Sequence, residues 1–491
     1  MSPATQAGMK MRSSAFIRVH LRPIFGLDGG MRTPAPRDRR RLWRVGLLVL
    51  LAVGLVACRS VPGRRAAATA DPSTALAGLG DPLYPQLGNA GYDVQHYTID
   101  LDVDVPGNTI RGAATITAQA TQDLGTFHLD LSGLEVRGVT VNQAPAGYTR
   151  AGSKLIITPQ AALAAGQLFS VAVDYAGTPQ PIHDPGVSFV PLGWQPQPRG
   201  LFVVSEPSGA MNWYPVNNHP ADKATYTFHV TVPRPYQVAA NGVLTGTSHR
   251  GDVTTYTWEM SDPMASYLAT VHIGEYTVQE QAGPHGLPIR NFFPVDTPDA
   301  VKDHFAPTPE MITYMESLIG PYPFAAYGVV LLNEDVGWAL ETQTLSTFGG
   351  QGAGEGTIFH ELAHQWFGND VSPATWSDVW LSEGFATYFA LLWAERSAGR
   401  AATDRVIETW DQRLEEAGAE SPIPATPAAM FSQAVYQRGA SILHTLRLQV
   451  GDAKFFEILR TYYQRYAGRS ASTQDFISVV EEFGVGFDFG F

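Results

Sequence analysis

Two histidines and a glutamate near residue 360 have the types and the spacing of a metal site with a neighbouring base. The stretch reads His360-Glu361-Leu-Ala-His364. On an α-helix, side chains four residues apart lie about 40° apart around the axis, so both imidazoles can bind one ion. Glu361 lies about a third of a turn away, where its carboxylate can contact water bound to that ion. The pattern predicts metal-assisted hydrolysis; its alternative is a solvated or core-capping histidine pair.

A third protein ligand is expected, because a catalytic zinc takes three protein ligands and leaves one position open. The metzincin pattern would need Gly at position 367 and His at position 370, whereas the chain has Phe367 and Asp370. Gly368-Asn369 predicts the end of the helix, and Ser382 is the predicted N-cap of the next one. Glu383 follows in its first turn. An antiparallel neighbouring helix would bring this carboxylate back to the two histidines.

The sequence around these residues resembles the aminopeptidase N family of gluzincin zinc exopeptidases. The resemblance rests on HELAHQWFGND at residues 360–370 and WSDVWLSEGFATYFA at residues 376–390, and it covers most of the chain after residue 85. It implies one zinc ion per chain, bound by His360, His364 and Glu383, with Glu361 as the general base.

Two further segments resemble the parts of that family that bind the free amine of a peptide. Residues 338–342, Trp-Ala-Leu-Glu-Thr, lie where the family has its GAMEN-type segment, which implies Glu341 as an amine contact and Ala339 as a substrate contact. Residues 205–210 resemble a second segment and imply Glu206 as another amine contact. A carboxylate in a dry pocket binds an ammonium group and rejects a mid-chain amide, so these residues predict an exopeptidase. The alternative for each glutamate is a surface carboxylate.

Residues 435–439, Val-Tyr-Gln-Arg-Gly, resemble the family's Tyr-x-Lys-Gly segment and make Tyr436 its transition-state tyrosine. When water adds to a scissile carbonyl, negative charge develops on the oxygen, and a neutral O–H donor can stabilise it. The alternative for Tyr436 is a core aromatic residue on a helix.

The elements that must position these residues fall into two halves. From Tyr97 onward apolar and polar residues alternate, and turn signals such as Asn241-Gly242 separate short strands as far as residue 283. Helical spacing then dominates, with a strand-like stretch from Tyr327 to Thr347. We therefore expect a multidomain α+β chain. An N-terminal antiparallel β-sandwich or saddle would cover residues 86–283, and a mostly helical, thermolysin-like catalytic domain would cover residues 284–491.

The front of the chain has the pattern of an export signal. Arginines precede a thirteen-residue apolar run, Val45–Ala57, which is too short to span a bilayer and suits a signal peptide. Leu55-Val56-Ala57-Cys58 resembles a bacterial lipobox and implies acylation of Cys58. We expect a signal segment at residues 1–57, with Met31 as a better start, and a flexible tether at residues 58–85. The expected location is the bacterial cell envelope, lipid-anchored on the extracytoplasmic side.

Composition narrows the classes of partner. The net charge of −13 excludes a nucleic-acid binder, which needs a basic face, and a single Cys excludes a disulfide framework. After residue 484 the chain loses all helical period, from which we expect a C-terminal truncation. We expect a monomeric zinc aminopeptidase that acts on peptides with a free N-terminus. The alternatives are a thermolysin-like endopeptidase and a catalytically silent peptide-binding lipoprotein.

Overall fold

The computed structural model describes residues 77–419 and 421–490. Between residues 92 and 274 the regular structure is strand apart from two single 3-10 turns: β1 Tyr92–Asp104, β2 Thr109–Ala120, β3 Phe127–Asp130, β4 Glu135–Val141, β5 Ala144–Pro145, β6 Gly147–Ala151, β7 Lys154–Thr158, β8 Leu168–Gly177, β9 Ile182–Asp184, β10 Val187–Gln197, β11 Gly200–Val204, β12 Lys223–Pro233, β13 Gln237–Ala240, β14 Val243–Arg250, β15 Val253–Ala265 and β16 Val271–Gly274. Strand β1 shows why. Its alternate residues Tyr97, Ile99 and Leu101 are buried, so one face of the strand packs on the core.

These strands form three sheets. The largest has eight strands in the order β14-β15-β12-β1-β2-β8-β4-β5, a second has the order β13-β16-β11-β10-β9, and a third has the order β3-β7-β6. The β-rich N-terminal domain expected from the alternation is confirmed. The large sheet is not purely antiparallel, however, because β1 and β12 pair in parallel, with Ile99 opposite Phe228. Local alternation could not reveal this pairing, which joins strands more than 100 residues apart.

The second half is built mainly of helices on a smaller sheet. Its strands are β17 Tyr276–Ala282, β18 Pro288–Pro294, β19 Tyr327–Leu331, β20 Ala339–Leu340 and β21 Ser346–Phe348, with a two-stranded pair of β22 Ser372–Pro373 and β23 Ser470–Ala471. Its helices are α1 Asp299–Lys302, α2 Thr308–Leu318, α3 Glu355–Ala363, α4 Trp380–Ala398, α5 Arg400–Glu416, α6 Gly439–Val450, α7 Asp452–Tyr466 and α8 Thr473–Glu482. The helical second domain is therefore also confirmed.

The boundary between the halves differs from the predicted residue 283. Strands β17 and β18 form a hairpin, in which Tyr276 pairs with Pro294 and Ala282 with Pro288. Both belong to the five-stranded sheet β17-β18-β19-β21-β20. The predicted boundary falls within this hairpin, because strand alternation continues across the junction and carries no signal of which sheet a strand joins.

The end of the predicted tether is packed. Leu83 and Tyr84 are buried, and Asp81 accepts a hydrogen bond from the backbone nitrogen of Trp376 at 2.7 Å. Small residues and prolines suggested flexibility, but this segment lies against the catalytic half. Cys58, the signal segment and the tether up to residue 76 lie outside the described residues. None of the helices that the structure describes is long and apolar enough to cross a membrane.

After α8 the chain continues to residue 490 without regular structure. Ser472 begins α8 with a capping box, in which its hydroxyl accepts from the backbone nitrogen of Asp475. Phe489 packs edge-on against Phe476 of α8, so the final aromatic residues contribute to the same core.

Candidate active site

Helices α3 and α4 bring the three predicted ligands together. His360 lies near the end of α3, His364 directly follows it, and Glu383 lies in the first turn of α4. The Nε2 atoms of the two histidines are 3.0 Å apart. Oε2 of Glu383 lies 3.2 Å from Nε2 of His360 and 3.4 Å from Nε2 of His364. All three side chains are buried.

These distances fit one zinc ion. Tetrahedral zinc holds nitrogen and oxygen ligands at about 2.0–2.1 Å, which places ligand atoms roughly 3.3 Å from one another. The observed 3.0, 3.2 and 3.4 Å match that spacing. Two imidazoles and a carboxylate are also the donors found in catalytic zinc sites. The residues therefore have the geometry and the chemistry to bind the metal.

Ser382 is not the N-cap of α4, as the sequence suggested. The helix begins at Trp380, so Ser382 lies inside it, buried and without a hydrogen bond for its hydroxyl among the described residues. A single turn of 3-10 helix, Trp376–Asp378, leads directly into α4 and carries its own capping box from Thr375. The capping side chain in this region is therefore Thr375, seven residues before the predicted Ser382.

A backbone contact orients His364. Its Nδ1 lies 3.1 Å from the carbonyl oxygen of Phe367, which leaves Nε2 to face the ligand cluster. The loop turns at Gly368, where φ is +123° and a Cβ atom would lie 3.0 Å from Nδ1 of His364. A side chain at this position would press on the imidazole, so glycine is required for this orientation.

Three further glutamates surround the ligands. Two groups of three side chains can each present one ligand atom per residue within 4.8 Å of the other two. The first group is Glu206, Glu341 and Glu383, and the second is Glu341, Glu361 and His364. Glu206, Glu341 and Glu361 are at most 7% exposed. The structure thus brings together every glutamate that the sequence analysis placed in the site, including Glu206 from the β-rich half.

So many buried carboxylates shift one another's pKa. Burial raises the pKa of Glu361 well above its ordinary value, and the charges of Glu341 and Glu383 add to the shift. Burial, with repulsion from Glu341, also raises the pKa of Glu206 well above its usual range. Burial alone would lower the pKa of His364, but Glu341 and Glu383 outweigh it and raise that pKa to about 10. The pocket is strongly electronegative and suits a metal ion and an ammonium group.

Glu341 directly follows the two-residue strand β20, which pairs with β21 and is the outermost strand of its sheet. Ala339 is half-buried on this strand, opposite Phe348. An outermost strand leaves backbone groups free to pair with an extended peptide. The carbonyl oxygen of Glu341 accepts hydrogen bonds from Nε2 of Gln365 at 3.1 Å and from Nδ2 of Asn369 at 2.7 Å. The residue is therefore fixed to the segment that carries the histidines.

The β-rich half also holds the loop that follows β20, residues 341–344. Nδ2 of Asn241 donates to the carbonyl oxygens of Gln343, at 2.7 Å, and of Leu268, at 2.9 Å. The hydroxyl of Thr344 accepts from the backbone nitrogen of Gly242 at 2.7 Å. Asn241 was singled out in the sequence only as part of a turn, so its contact with the Glu341 loop is a finding of the structure.

Tyr436 lies on a π-helical turn, Ala434–Arg438, that leads into α6. Its ring lies 6.1 Å from the ring of His360, nearly parallel to it. Burial raises the pKa of Tyr436 well above its ordinary value, and Glu383 and Glu206 reinforce the shift. The phenol therefore stays protonated at neutral pH and can donate a hydrogen bond.

Two residues of the β-rich half hold the loop that follows His364. Nζ of Lys223 donates to the carbonyl oxygens of Asn369 and Asp370 at 2.8 and 2.7 Å. The hydroxyl of Tyr267 donates to the carbonyl oxygen of Gly368 at 2.8 Å. Burial lowers the pKa of Lys223 to about 8. The metal-binding segment is thus anchored on the N-terminal domain.

Sequence reasoning missed the residues that hold the site in place. Gln365 and Asn369 lie inside the HELAHQWFGND motif, so the motif contained them, but nothing in one sequence says which carbonyl an amide will reach. Asp378 accepts hydrogen bonds from the backbone and hydroxyl of Thr473 at 2.8 Å. It caps a loop and makes no hydrogen bond to the three ligands.

Comparison with known proteins agrees with this geometry. The Peptidase family M1 domain matches residues 307–488, and the Peptidase M1 N-terminal domain matches residues 93–268. An M1 zinc metallopeptidase from Deinococcus radiodurans superposes with a TM-score of 0.77 at 34% identity, covering 82% of this chain and 94% of that one. A mutant of that enzyme bound to a Tyr-Ser-Ala substrate superposes equally well, over 83% and 95%.

Curated relatives are longer. Aminopeptidase M1-B of Oryza sativa subsp. japonica is 30% identical over 319 residues, which is 58% of this chain and 35% of that protein. Aminopeptidase N of Streptomyces lividans is 26% identical over 430 residues, or 79% of this chain and 48% of that protein. The chain thus spans between a third and a half of the length of these two relatives. Its two matched domains, its metal-ligand geometry and its likeness to a zinc metallopeptidase over almost the whole of that enzyme agree: this chain belongs to peptidase family M1.

Proposed function

We propose that this protein is a zinc aminopeptidase, which removes the N-terminal residue from peptides. The observation that carries the proposal is the meeting of two sites in one buried pocket. The ligand atoms of His360, His364 and Glu383 lie 3.0 to 3.4 Å from one another, which is the spacing of ligands around one metal ion. Next to these ligands, the buried carboxyl groups of Glu206 and Glu341 lie where they can bind a free amine.

The residues divide the reaction between them. When bound, zinc supplies Lewis acidity and lowers the pKa of water to near 7. Glu361 takes the proton of the attacking water and passes it to the leaving amine. The hydroxyl of Tyr436 donates to the oxygen on which negative charge develops.

Glu341 and Glu206 fix where the peptide is cut. Their carboxylates bind the ammonium group of the first residue, while the edge of β20 at Ala339 pairs with the backbone that follows. A mid-chain amide would leave both buried carboxylates without a partner. Each carboxylate would then lose a charged hydrogen bond, and the two losses together should weaken binding by on the order of several kcal/mol. The pocket therefore favours the chain end.

The decisive experiment compares free and N-acetylated aminoacyl-amide reporters with the zinc-loaded protein. We expect hydrolysis of the free reporters only, and a loss of about 10²-fold or more for Glu361→Gln. Glu408→Gln, on the exposed face of α5, is the matched control and should retain activity. Equal hydrolysis of both reporters would favour the endopeptidase, and binding without hydrolysis would favour a silent peptide binder.

We also propose that the protein is a monomer anchored by a lipid at Cys58 in a bacterial cell envelope. The support is the apolar run that ends in Leu55-Val56-Ala57-Cys58 and the resemblance of that ending to a lipobox. Labelling of expressing cells with radioactive palmitate should mark the wild-type protein and not Cys58→Ser. Recovery of both proteins, unlabelled, in the soluble fraction would contradict the anchor.

A further inference from the structure

The turn that carries Tyr436 has an uncommon geometry. Residues 434–438 form a π-helical turn, with Tyr436 at its centre and Arg438 at its end. Such turns are rare, are found mostly as single insertions in α-helices and are frequent at functional sites. A turn of this kind needs contacts with neighbouring elements to stay in place. The contacts made by Arg438 and Gly439 supply them.

Arg438 ties the turn to helix α5. Its Nη1 donates to Oδ1 of Asp411 at 2.7 Å. The two side chains are 18% and 30% exposed, so the pair is largely shielded from water. A charge-assisted hydrogen bond in such surroundings is stronger and better defined than an ion pair on an open surface. Arg438 thus fixes the end of the turn two residues after Tyr436.

Gly439 ties the turn to helix α4. A Cβ atom on Gly439 would lie 2.9 Å from Cα of Gly384, and one on Gly384 would lie 2.8 Å from Cα of Gly439. Real Cβ atoms do not approach other atoms so closely, so the two backbones touch where neither residue has a side chain. Gly384 directly follows the ligand Glu383. The turn is therefore held between α5 and the residue next to a metal ligand.

We propose that Arg438, through its ion pair with Asp411, is a positioning residue that holds the hydroxyl of Tyr436 in the place where it can stabilise the transition state. The proposal rests on the aminopeptidase function proposed above. Arg438 acts through Tyr436 and touches no reacting atom. Loss of the pair removes the side-chain contact of the turn with α5, so that Tyr436 can move relative to Glu383 and His360.

The test uses the zinc-loaded protein and four substitutions. Arg438→Met keeps the length of the side chain and removes the charge, whereas Arg438→Lys keeps the charge; Asp411→Asn weakens the pair from the other side. Tyr436→Phe removes the hydroxyl itself. Arg465→Met is the matched control, because Arg465 forms an ion pair with Glu482 between α7 and α8, outside the site.

We expect Arg438→Met to lower kcat about 10- to 100-fold, since a displacement of about 1 Å can cost that much, and to leave KM within about twofold. Asp411→Asn should give a smaller loss in the same direction, Arg438→Lys should restore most of the rate, and Arg465→Met should match the wild type. Zinc content should stay unchanged, because the three ligands lie on α3, directly after it and on α4, outside the turn.

The double variant decides between positioning and general stability. If Arg438 works through the hydroxyl of Tyr436, Arg438→Met has no further effect on kcat in the Tyr436→Phe protein. If the double variant loses kcat by the product of the two single losses, the proposal is overturned. An equal loss of kcat in Arg438→Met and Arg465→Met would also overturn it. If Arg438→Met fails to fold, the same comparison is made with Asp411→Asn. The wild-type protein is assayed before any variant. If it hydrolyses no reporter, the proposed aminopeptidase function is refuted, which is a different outcome from failure of the Arg438 proposal.

Discussion

Among the residues that the structure describes, the pocket brings together four buried glutamates and two histidines. Glu206, Glu341 and Glu361 are buried beside Glu383, and the histidines are the nearest positive groups. Burial of several carboxylates together is costly unless they take up protons or a cation binds among them. The metal ion and the substrate amine are two such cations. Each side chain should therefore affect a different quantity.

Removal of the Tyr436 hydroxyl should slow the chemical step alone. We expect Tyr436→Phe to lower kcat by about 10²- to 10³-fold, which corresponds to loss of one donor to the developing oxyanion. Zinc content should stay at the wild-type level, because Tyr436 is not one of the three ligands that surround the site. Steady-state kinetics with metal analysis checks this. A loss of zinc together with activity would show that the tyrosine supports the ligands instead.

Neutralising Glu341 should remove the preference for a chain end. In Glu341→Gln the ammonium group loses a charged partner, and we expect KM for free reporters to rise about 10-fold or more. Activity on N-acetylated reporters should stay the same or increase, so the ratio of kcat/KM for the two reporters is the measurement. An unchanged ratio would mean that Glu206 alone recognises the amine.

At the scale of elements, the site depends on a loop held from two directions. The carbonyl oxygen of Glu341 accepts hydrogen bonds from Gln365 and Asn369, which follow His364 in the chain. The carbonyl oxygen of Gln343 accepts one from Asn241, which lies between β13 and β14. The short strand β20 has few contacts of its own. Its position is set by neighbours that come from both halves of the chain.

Replacing Asn241 should loosen that loop. Asn241→Ala leaves the carbonyls of Leu268 and Gln343 and the amide of Thr270 without their partner, and each buried group costs about 1–3 kcal/mol if unpaired. We expect a lower free energy of unfolding and a higher KM for free reporters, with unchanged zinc content. Denaturant titration and kinetics on the same preparation check both. A loss of stability without any change in KM would limit Asn241 to a structural role.

At the scale of the whole molecule, the pocket lies where the two domains meet. Glu206 comes from the segment after β11, and Lys223 of β12 holds the loop after His364. A junction between domains is a common place for a binding site, since it forms a cleft that neither domain closes alone. Binding of a cation at this junction should therefore stabilise the fold as a whole.

Removal of the metal should lower the stability of the entire chain. A ligand present at about 1,000 times its dissociation constant adds about 4 kcal/mol to the free energy of unfolding. We expect chelator-treated protein to unfold at a lower temperature than the zinc-loaded protein, and the difference to disappear in His364→Ala. Calorimetry on both forms measures it. Equal unfolding temperatures for the two forms of the wild type would contradict the ligand set.

Asp222, remote from the ligands, should make stability depend on pH. Burial raises the pKa of Asp222 to about 8, and nearby Asp93 adds to the shift. In the unfolded chain this pKa is about 3.8. Between these values the folded protein binds the extra proton, so the contribution of Asp222 is full below pH 4 and is lost as the pH rises towards 8.

The free energy of unfolding of Asp222→Asn should accordingly fall less steeply with pH than that of the wild type. The difference in free energy of unfolding between the wild type and Asp222→Asn should change by at most about 1.4 kcal/mol per pH unit between pH 5 and 7. It should level off above pH 8. Denaturant titrations at a series of pH values check this. Parallel pH profiles would show that Asp222 ionises normally in the folded state.

The sequence by itself determined which groups can do chemistry. The spacing of His360 and His364 is local, because helix geometry alone places side chains four residues apart on one face. The strand alternation from Tyr97 and the helical spacing after residue 308 likewise follow from local periods, and they gave the order of the two domains. Glu383 followed from the predicted start of the next helix, and the resemblance then supplied Glu206, Glu341 and Tyr436 as further candidates.

Only the tertiary structure decided how those groups meet. The parallel pairing of β1 with β12 and the packing of residues 77–85 against the catalytic half both join segments far apart in the chain. The same holds for the contacts of Asn241 with the Glu341 loop and of Arg438 with Asp411. Such contacts depend on which surfaces face each other after folding, and no local period encodes that.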